Sequence, residues 1–318
     1  MANLKTIKSK ILSYKKTGTV THAMEAVSAV KMRKSQERAL SGRAYAAAAL
    51  TILERLSASA DLHRHPLMKK DIGSPFKKGL PMSTLKTVLI VVTSDKGLAG
   101  SLNSGVIRRA EQEIRSRALA KEQIAVIGIG RRGADYFASR GYDVRLKLEN
   151  VSDDVSESNI REVTDKVLTW HRASEIGSCV VVYQNFLSTF EQQPTARQIV
   201  PLTTELIREM VAGIRPAKGK YAPRTDEVKP RRPAAYTIEP EADAVLTVLL
   251  PRLLNIAIFH TMLENKASEH SARMVAMKSA TDKAKEMARD LTRTFNKVRQ
   301  AAITREVSEI TSGIEAMK

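Results

Sequence analysis

Both ends of this 318-residue chain carry apolar residues at the spacing of an α-helix, over lengths that few globular helices reach. No proline interrupts residues 3–56, where apolar or small side chains recur from Leu4 to Ala47. At the other end a stripe runs from Met274 to Ala302, and Ile303 to Met317 continues beside it at alternating spacings of four and three. One helix alone cannot hide such a stripe from water, so the two ends are predicted to pair as an antiparallel coiled coil.

Within the first helix the predicted apolar face includes Met24 and Val27. Gly18 is its weakest internal point, because glycine is a poor helix former. The second helix can begin beside Pro240, since proline suits the first helical position, and Pro251 is a point where it can kink. The helices would be about 80 Å and about 110 Å long.

The middle of the chain has a different texture, in which short apolar runs alternate with helical stretches. This alternation predicts a small, mostly parallel α/β domain. The strands are expected at 87–93, 124–129, 179–183 and 198–202, and two of the helices at 102–119 and 159–173.

The predicted fold class is therefore α/β, with a long antiparallel coiled coil formed by the N- and C-terminal helices and a central, small, Rossmann-like domain. Five segments are expected along the chain. They are an N-terminal coiled-coil helix over 1–60, a connecting loop over 61–86, the central α/β domain over 87–210, a basic proline-rich linker over 211–240, and a C-terminal coiled-coil helix over 241–318.

The formal charge of +18 and a pI near 10.0 indicate an acidic partner, which could be nucleic acid, an anionic membrane surface or acidic protein. The single cysteine, Cys179, excludes a disulfide framework and lies in an apolar run typical of a buried structural thiol. No apolar stretch of the sequence approaches the roughly 18 to 20 residues that are needed to span a bilayer. A soluble or peripheral protein is expected.

The residues Gly128-Ile129-Gly130-Arg131-Arg132-Gly133 match the glycine fingerprint of dinucleotide-binding sites, and Glu149 stands where a ribose-binding acid would be expected. Two arginines in the tight turn favour the alternative, an ordinary strand-to-helix turn. The loop from Thr93 to Asn103 lacks the ending of a phosphate-binding loop, and the close pair His63 and His65 lacks further ligands. We therefore predict no catalytic residue, no cofactor and no metal site.

Several stretches, taken together, resemble one family, the gamma subunits of bacterial-type F-type ATP synthases. They are His22 to Val27, Lys31 to Gln36, Ser94 to Gly100, Ser268 to Asp282 and Asn296 to Thr304. They occur in the family's order from one end of the chain to the other. The sequence departs from the family's pattern at Gly18, Thr19 and His22 and in the charged tip from Ser312 to Lys318.

The resemblance implies a non-catalytic rotor shaft, which couples rotation of a membrane c-ring to conformational changes at beta-subunit catalytic sites. It implies as partners the alpha and beta subunits of the hexamer, the epsilon subunit and the c-ring, with neither nucleic acid nor a small-molecule substrate. The location implied is the cytoplasmic face of a bacterial membrane. By position, Arg299, Gln300 and Thr304 fall at a beta-subunit catch loop, and Met24 falls beside an acidic stretch of beta.

Two functions from other classes remain as alternatives to a rotor shaft. A basic coiled coil could bind nucleic acid, although the aromatic residues that stack on bases are scarce. A dinucleotide-dependent enzyme would use the glycine turn that begins at Gly128.

Overall fold

The computed structural model describes residues 4–41, 48, 51–52, 65–68, 85–203 and 241–317. They form two compact units: unit 1 combines Met1–Ala29 with Arg273–Lys318, and unit 2 spans Val30–Ala272. Two long helices, α1 (Leu4–Ser41) and α5 (Ala242–Glu315), contribute residues to both units. The predicted linker over 211–240 and most of the predicted loop over 61–86 lie outside the described residues.

Unit 2 is built on a five-stranded sheet with the strand order β3-β2-β1-β4-β5. Neighbouring strands are parallel except for β4 and β5, which form an antiparallel hairpin. The strands are β1 (Lys86–Val92), β2 (Ile124–Ile129), β3 (Asp143–Leu148), β4 (Ile176–Phe186) and β5 (Gln192–Val200), and the helices between them are α2 (Leu102–Ser116), α3 (Arg131–Ser139) and α4 (Glu157–Arg172).

The central strands read as unbroken apolar runs because both faces of the sheet are covered. In β1, Val88 and Ile90 pack into a core shared with α4 and the first part of α5. Leu89 and Val91, which point to the opposite face, pack into a second core with α2 and α3. Unit 2 is thus a three-layer α/β domain.

The predicted fold class is confirmed, and the differences from the sequence expectation lie at the sheet edges. The strand β3 was missed because its alternating charged residues make it look like a loop, as suits an exposed edge strand. The hairpin strand β5 begins at Gln192, earlier than predicted, in a polar stretch that includes Pro194. Proline is tolerated there because β5 is an edge strand.

The start of α5 corrects the expectation about apolar stretches. The helix from Asp243 to Glu315 contains an 18-residue window with a mean hydropathy of 1.6, which is long and apolar enough to cross a membrane by composition. More than half of that window, 56%, is buried within the protein. The side chains of Leu246, Leu250 and Leu254 are buried in the core with the sheet, which accounts for the apolar composition. The helix continues through Pro251.

In unit 1 the two helices run antiparallel, as predicted. The hydroxyl oxygens of Thr21 and Thr281 lie 2.6 Å apart, and a Cβ atom added to Gly18 would lie 3.7 Å from Cβ of Ala284. A step of three residues back along α1 is thus matched by a step of three residues forward along α5. The buried or half-buried positions on α1 include Ile7, Ile11, Tyr14, Gly18, Thr21, Glu25 and Ser28, and those on α5 include Met277, Thr281, Ala284, Ala288, Leu291, Phe295 and Val298. Both sets keep the heptad spacing of a coiled coil.

The prediction that Val27 belongs to the buried face of α1 is wrong, because its side chain is 55% exposed. Small residues at Gly18, Thr21 and Ser28 take the buried positions instead. Gly18 is therefore a contact position between the helices rather than only a weak point of α1.

Candidate subunit-contact surface

Arg299, Gln300 and Thr304 lie on an exposed stretch of α5 in unit 1. The Thr304 hydroxyl donates a hydrogen bond to the backbone carbonyl of Gln300, 2.9 Å away. Val298 and Ala302, which flank the pair Arg299 and Gln300, are half-buried, so the helix turns these two side chains away from the seam. Within the described part of the chain, neither Arg299 nor Gln300 has an ion pair or a side-chain hydrogen bond, and both are available to an external partner.

Beyond these residues α5 carries an apolar ridge. Every residue from 303 to 317 is exposed. The ridge consists of Ile303, Val307, Ile310, Ile314 and Met317, whose side chains are 50% to 85% exposed. Such a patch is unusual on the surface of a soluble monomer and marks a surface that another molecule covers. The sequence predicted this row of apolar residues. The structure adds that no described residue of the chain covers it.

Met24 is half-buried on α1. It lies between Val20 and Val27 on one side of the helix, and those two side chains are 59% and 55% exposed. This short apolar row is a second candidate contact surface in unit 1.

A cationic groove lies between the two helices of unit 1. Its volume is about 580 Å³, and Gly18 and Ala288 leave its floor open. The side chains of Lys15, Lys285 and Arg289 line it, and none of the three forms an ion pair with another described residue. The groove gives this part of unit 1 a positively charged surface.

The glycine turn of unit 2 serves packing. The φ angle of Gly130 is +89°, and a Cβ atom there would lie 2.2 Å from the carbonyl oxygen of Thr93. The amide of Arg131, at the start of α3, donates to the Asp95 carboxylate at 3.0 Å. The place where a phosphate would meet the helix N-terminus therefore already holds a carboxylate. Glu149, the expected ribose-binding acid, pairs with Lys147 at 2.6 Å.

The loop after β1 presents Leu98 to solvent with 63% of its side chain exposed. Its φ angle of +64° is unfavourable for leucine. The loop is held by Asn103, whose side-chain oxygen accepts hydrogen bonds from the Ser94 amide at 2.9 Å and its hydroxyl at 3.1 Å. A fixed loop with an exposed apolar tip is suited to contact with another protein surface.

Cys179 is buried, and burial raises the pKa of its thiol well above the usual range. The thiol is therefore kept protonated and is a poor nucleophile, in agreement with the structural role expected from its apolar neighbours.

Comparison with known proteins gives matches that extend over the whole chain. Residues 3–317 match the family described as ATP synthase. The chain is 35% identical to the ATP synthase gamma chain of Pelotomaculum thermopropionicum and 34% identical to that of Heliobacterium modesticaldum, covering all of both chains in each case.

Two solved structures share the fold. One belongs to the central stalk and c-ring of the Tetrahymena thermophila mitochondrial ATP synthase, with a TM-score of 0.56, 20% identity, and coverage of 82% of this chain and 99% of the other. The second belongs to the OSCP/F1/c-ring part of the Euglena gracilis mitochondrial ATP synthase, with a TM-score of 0.61, 17% identity, and coverage of 99% and 94%.

Proposed function

Because the chain belongs to the gamma-chain family of ATP synthases, we infer that it is the central rotor shaft of an F-type ATP synthase. It is a non-catalytic subunit, and the catalytic sites lie on the beta subunits. The observation that carries this function in the structure is the end of α5, where residues 303–317 are exposed throughout and bear the apolar ridge. A shaft end that turns inside a sleeve of other subunits needs such a surface.

The shaft acts by presenting different faces to subunits that are otherwise equivalent. Unit 1 has an apolar ridge at Ile303 to Met317, a polar patch at Arg299 and Gln300, and a cationic groove near Lys285. As the shaft turns, each surrounding catalytic site meets a different face. Each face biases that site toward a different conformation, which is allostery driven by a moving ligand.

The partners that we propose are the alpha and beta subunits around unit 1, with the epsilon subunit and the c-ring bound to the rest of the chain. An acidic protein collar suits a chain with a formal charge of +18. As an F1 subunit the chain is peripheral to the membrane complex, and its proposed location is the cytoplasmic face of a bacterial membrane.

Arg299, Gln300 and Thr304 are proposed to contact the beta catch loop. A guanidinium enclosed by a partner can form two parallel bonds to a carboxylate, and a hydrogen bond to a charged group contributes about 1.5 to 3 kcal/mol. Met24 is proposed to face the acidic stretch of beta, in the exposed apolar row that it forms with Val20 and Val27.

The test is the double variant Arg299→Ala, Gln300→Ala in the complex assembled with alpha and beta subunits. Its ATP turnover should fall roughly tenfold or more, because two partner contacts are lost. Lys278→Ala, Ser279→Ala removes one charge and one polar side chain from exposed positions elsewhere on α5 and is the matched control. Full turnover in the first variant, or equal losses in both, would refute the catch-loop assignment. Failure of the unaltered chain to co-purify with alpha and beta subunits would refute the rotor function itself.

A further inference from the structure

One carboxylate in unit 2 joins both long helices to the α/β domain. Asp153 lies in the loop between β3 and α4. Its Oδ2 atom is 2.8 Å from Nζ of Lys31, on α1, and its Oδ1 atom is 2.8 Å from Nε2 of His270, on α5. We call Asp153, Lys31 and His270 the loop clasp.

Neighbouring contacts hold the same loop. Asp154 pairs with Lys34 at 3.6 Å and with Arg38, and both cations lie on the face of α1 that carries Lys31. On α5, the ammonium group of Lys266 donates to the backbone carbonyl of Val151 at 2.9 Å. The loop is therefore bound to each helix at more than one point.

Within the loop clasp the carboxylate and the histidine are sheltered, whereas the Lys31 side chain is 48% exposed. The His270 side chain is 4% exposed and that of Asp153 is 31% exposed, whereas Lys34 and Asp154 are 60% and 53% exposed. Exposed ion pairs are screened by water and contribute little, so the outer pair cannot substitute for the inner one. Burial alone would raise the pKa of Asp153, but hydrogen bonds from Lys31 and His270 and the charges of His270 and Lys266 lower it to about 2. The carboxylate is ionised at every pH at which a cell works.

We propose that Asp153 is a positioning residue that fixes the rotation of α1 and α5 relative to the sheet, so that torque applied to the α/β domain reaches both helices. This inference rests on the rotor function proposed above. The α/β domain already grips α5 through its apolar core and through the Asn265 side chain, which accepts a hydrogen bond from the Gln184 amide at 3.1 Å. In the loop clasp, the Asp153 carboxylate contacts both Lys31 and His270. It therefore attaches α1 as well as α5 to the α/β domain.

A positioning role predicts lost coupling with little lost chemistry, because the catalytic sites are on other chains. The experiment uses the whole ATP synthase in sealed vesicles and measures ATP hydrolysis and ATP-driven proton pumping together. Asp153→Ala should leave hydrolysis nearly unchanged and lower the ratio of pumping to hydrolysis by roughly threefold or more, since a carboxylate with two charge-assisted bonds is removed. Asp153→Glu, which keeps the carboxylate, should restore most of the ratio.

The exposed Asp165 on α4 supplies the control, and Asp165→Ala should keep the wild-type ratio. If Asp153→Ala does not assemble, Lys31→Met tests the same contact from the exposed surface of α1 and should also lower the ratio. An unchanged ratio in the variants that assemble would overturn the proposal, and so would a smaller yield of complex with a normal ratio. An unaltered complex that hydrolyses ATP without turning this chain would instead overturn the rotor function.

Discussion

In the α/β domain, central strands such as β1 and β2 are buried on both faces and the apolar side chains are covered by this chain's own helices. At the end of α5, by contrast, residues 303–317 are exposed at every position although five of them are large and apolar. The apolar side chains of the first region are covered by this chain itself, whereas those of the second region need a partner to cover them. The comparison teaches that folding stability depends mainly on the α/β domain, whereas contact with the surrounding subunits depends on the end of α5, so these two properties can be changed separately.

The largest effect is expected from truncating the chain after Arg293. This change removes Phe295 and Val298 from the seam together with Arg299, Gln300 and the apolar ridge. ATP-driven proton pumping by the complex should be abolished or nearly so, while hydrogen exchange in the sheet of unit 2 should be unchanged. Normal pumping by the truncated protein would contradict the shaft assignment.

The next effect belongs to the α/β domain, where Gly130→Ala should destabilise the chain by about 3 kcal/mol or more. The new Cβ atom would lie 2.2 Å from the backbone oxygen of Thr93, at a φ angle of +89°. Gly141→Ala is the control, because Gly141 has a φ angle of +76° but no atom within 4 Å of the added Cβ. Denaturant unfolding measures both, and equal losses would show that backbone strain alone, without the clash, sets the cost.

A pH-dependent effect is expected from Glu264, which is buried on α5 with its Oε1 atom 3.4 Å from Nδ1 of His260. Burial raises the pKa of Glu264 from 4.5 to about 8 in the folded state. Its contribution to stability is therefore complete below pH 4.5 and is lost as pH rises through about 8, because the unfolded chain releases the proton first.

The variant Glu264→Gln replaces the titrating carboxyl group with an amide that does not titrate. The variant's stability relative to wild type should rise with pH between 4.5 and 8, by up to about 1.4 kcal/mol per pH unit. Unfolding curves at a series of pH values provide the measurement. Burial lowers the pKa of His260 to about 3, so its contribution to stability changes with pH in the opposite direction. His260 is present in both proteins. A difference between variant and wild type that does not change with pH would show that Glu264 is ionised in the folded protein.

The smallest effect is expected in the helix pair, where Gly18→Ala should stabilise by about 0.5 to 1 kcal/mol. The added Cβ atom meets Cβ of Ala284 at 3.7 Å, which is an ordinary contact. Thermal unfolding of the chain gives the sign. A destabilised variant would mean that the helices approach more closely at Gly18 than this distance indicates.

Local signals carried most of the fold prediction. The strands β1, β2 and β4 were found because burial on both faces leaves an unbroken apolar run, whereas β3 was missed because an edge strand bears charges. The seam of α1 was misread at Val27, because threonine and serine at the buried positions carry no apolar signal.

The contact residues also differ in whether the sequence could predict them. Arg299 and Gln300 could be placed from a sequence motif, and the structure leaves them exposed, although their partner is still a proposal. The loop clasp had no local signal, since Asp153 and His270 are 117 residues apart and meet only when the domain has folded. Long-range polar contacts of this kind cannot be read from periodicity.

The most direct test of the central claim is to observe rotation of this chain in the assembled complex. Ser139→Cys places a thiol on the exposed end of α3 for a visible marker, and the buried Cys179 will not compete for it. With the alpha and beta subunits fixed to a surface, adding ATP should turn the marker continuously in one direction. A marker that stays still while the complex hydrolyses ATP would contradict the account.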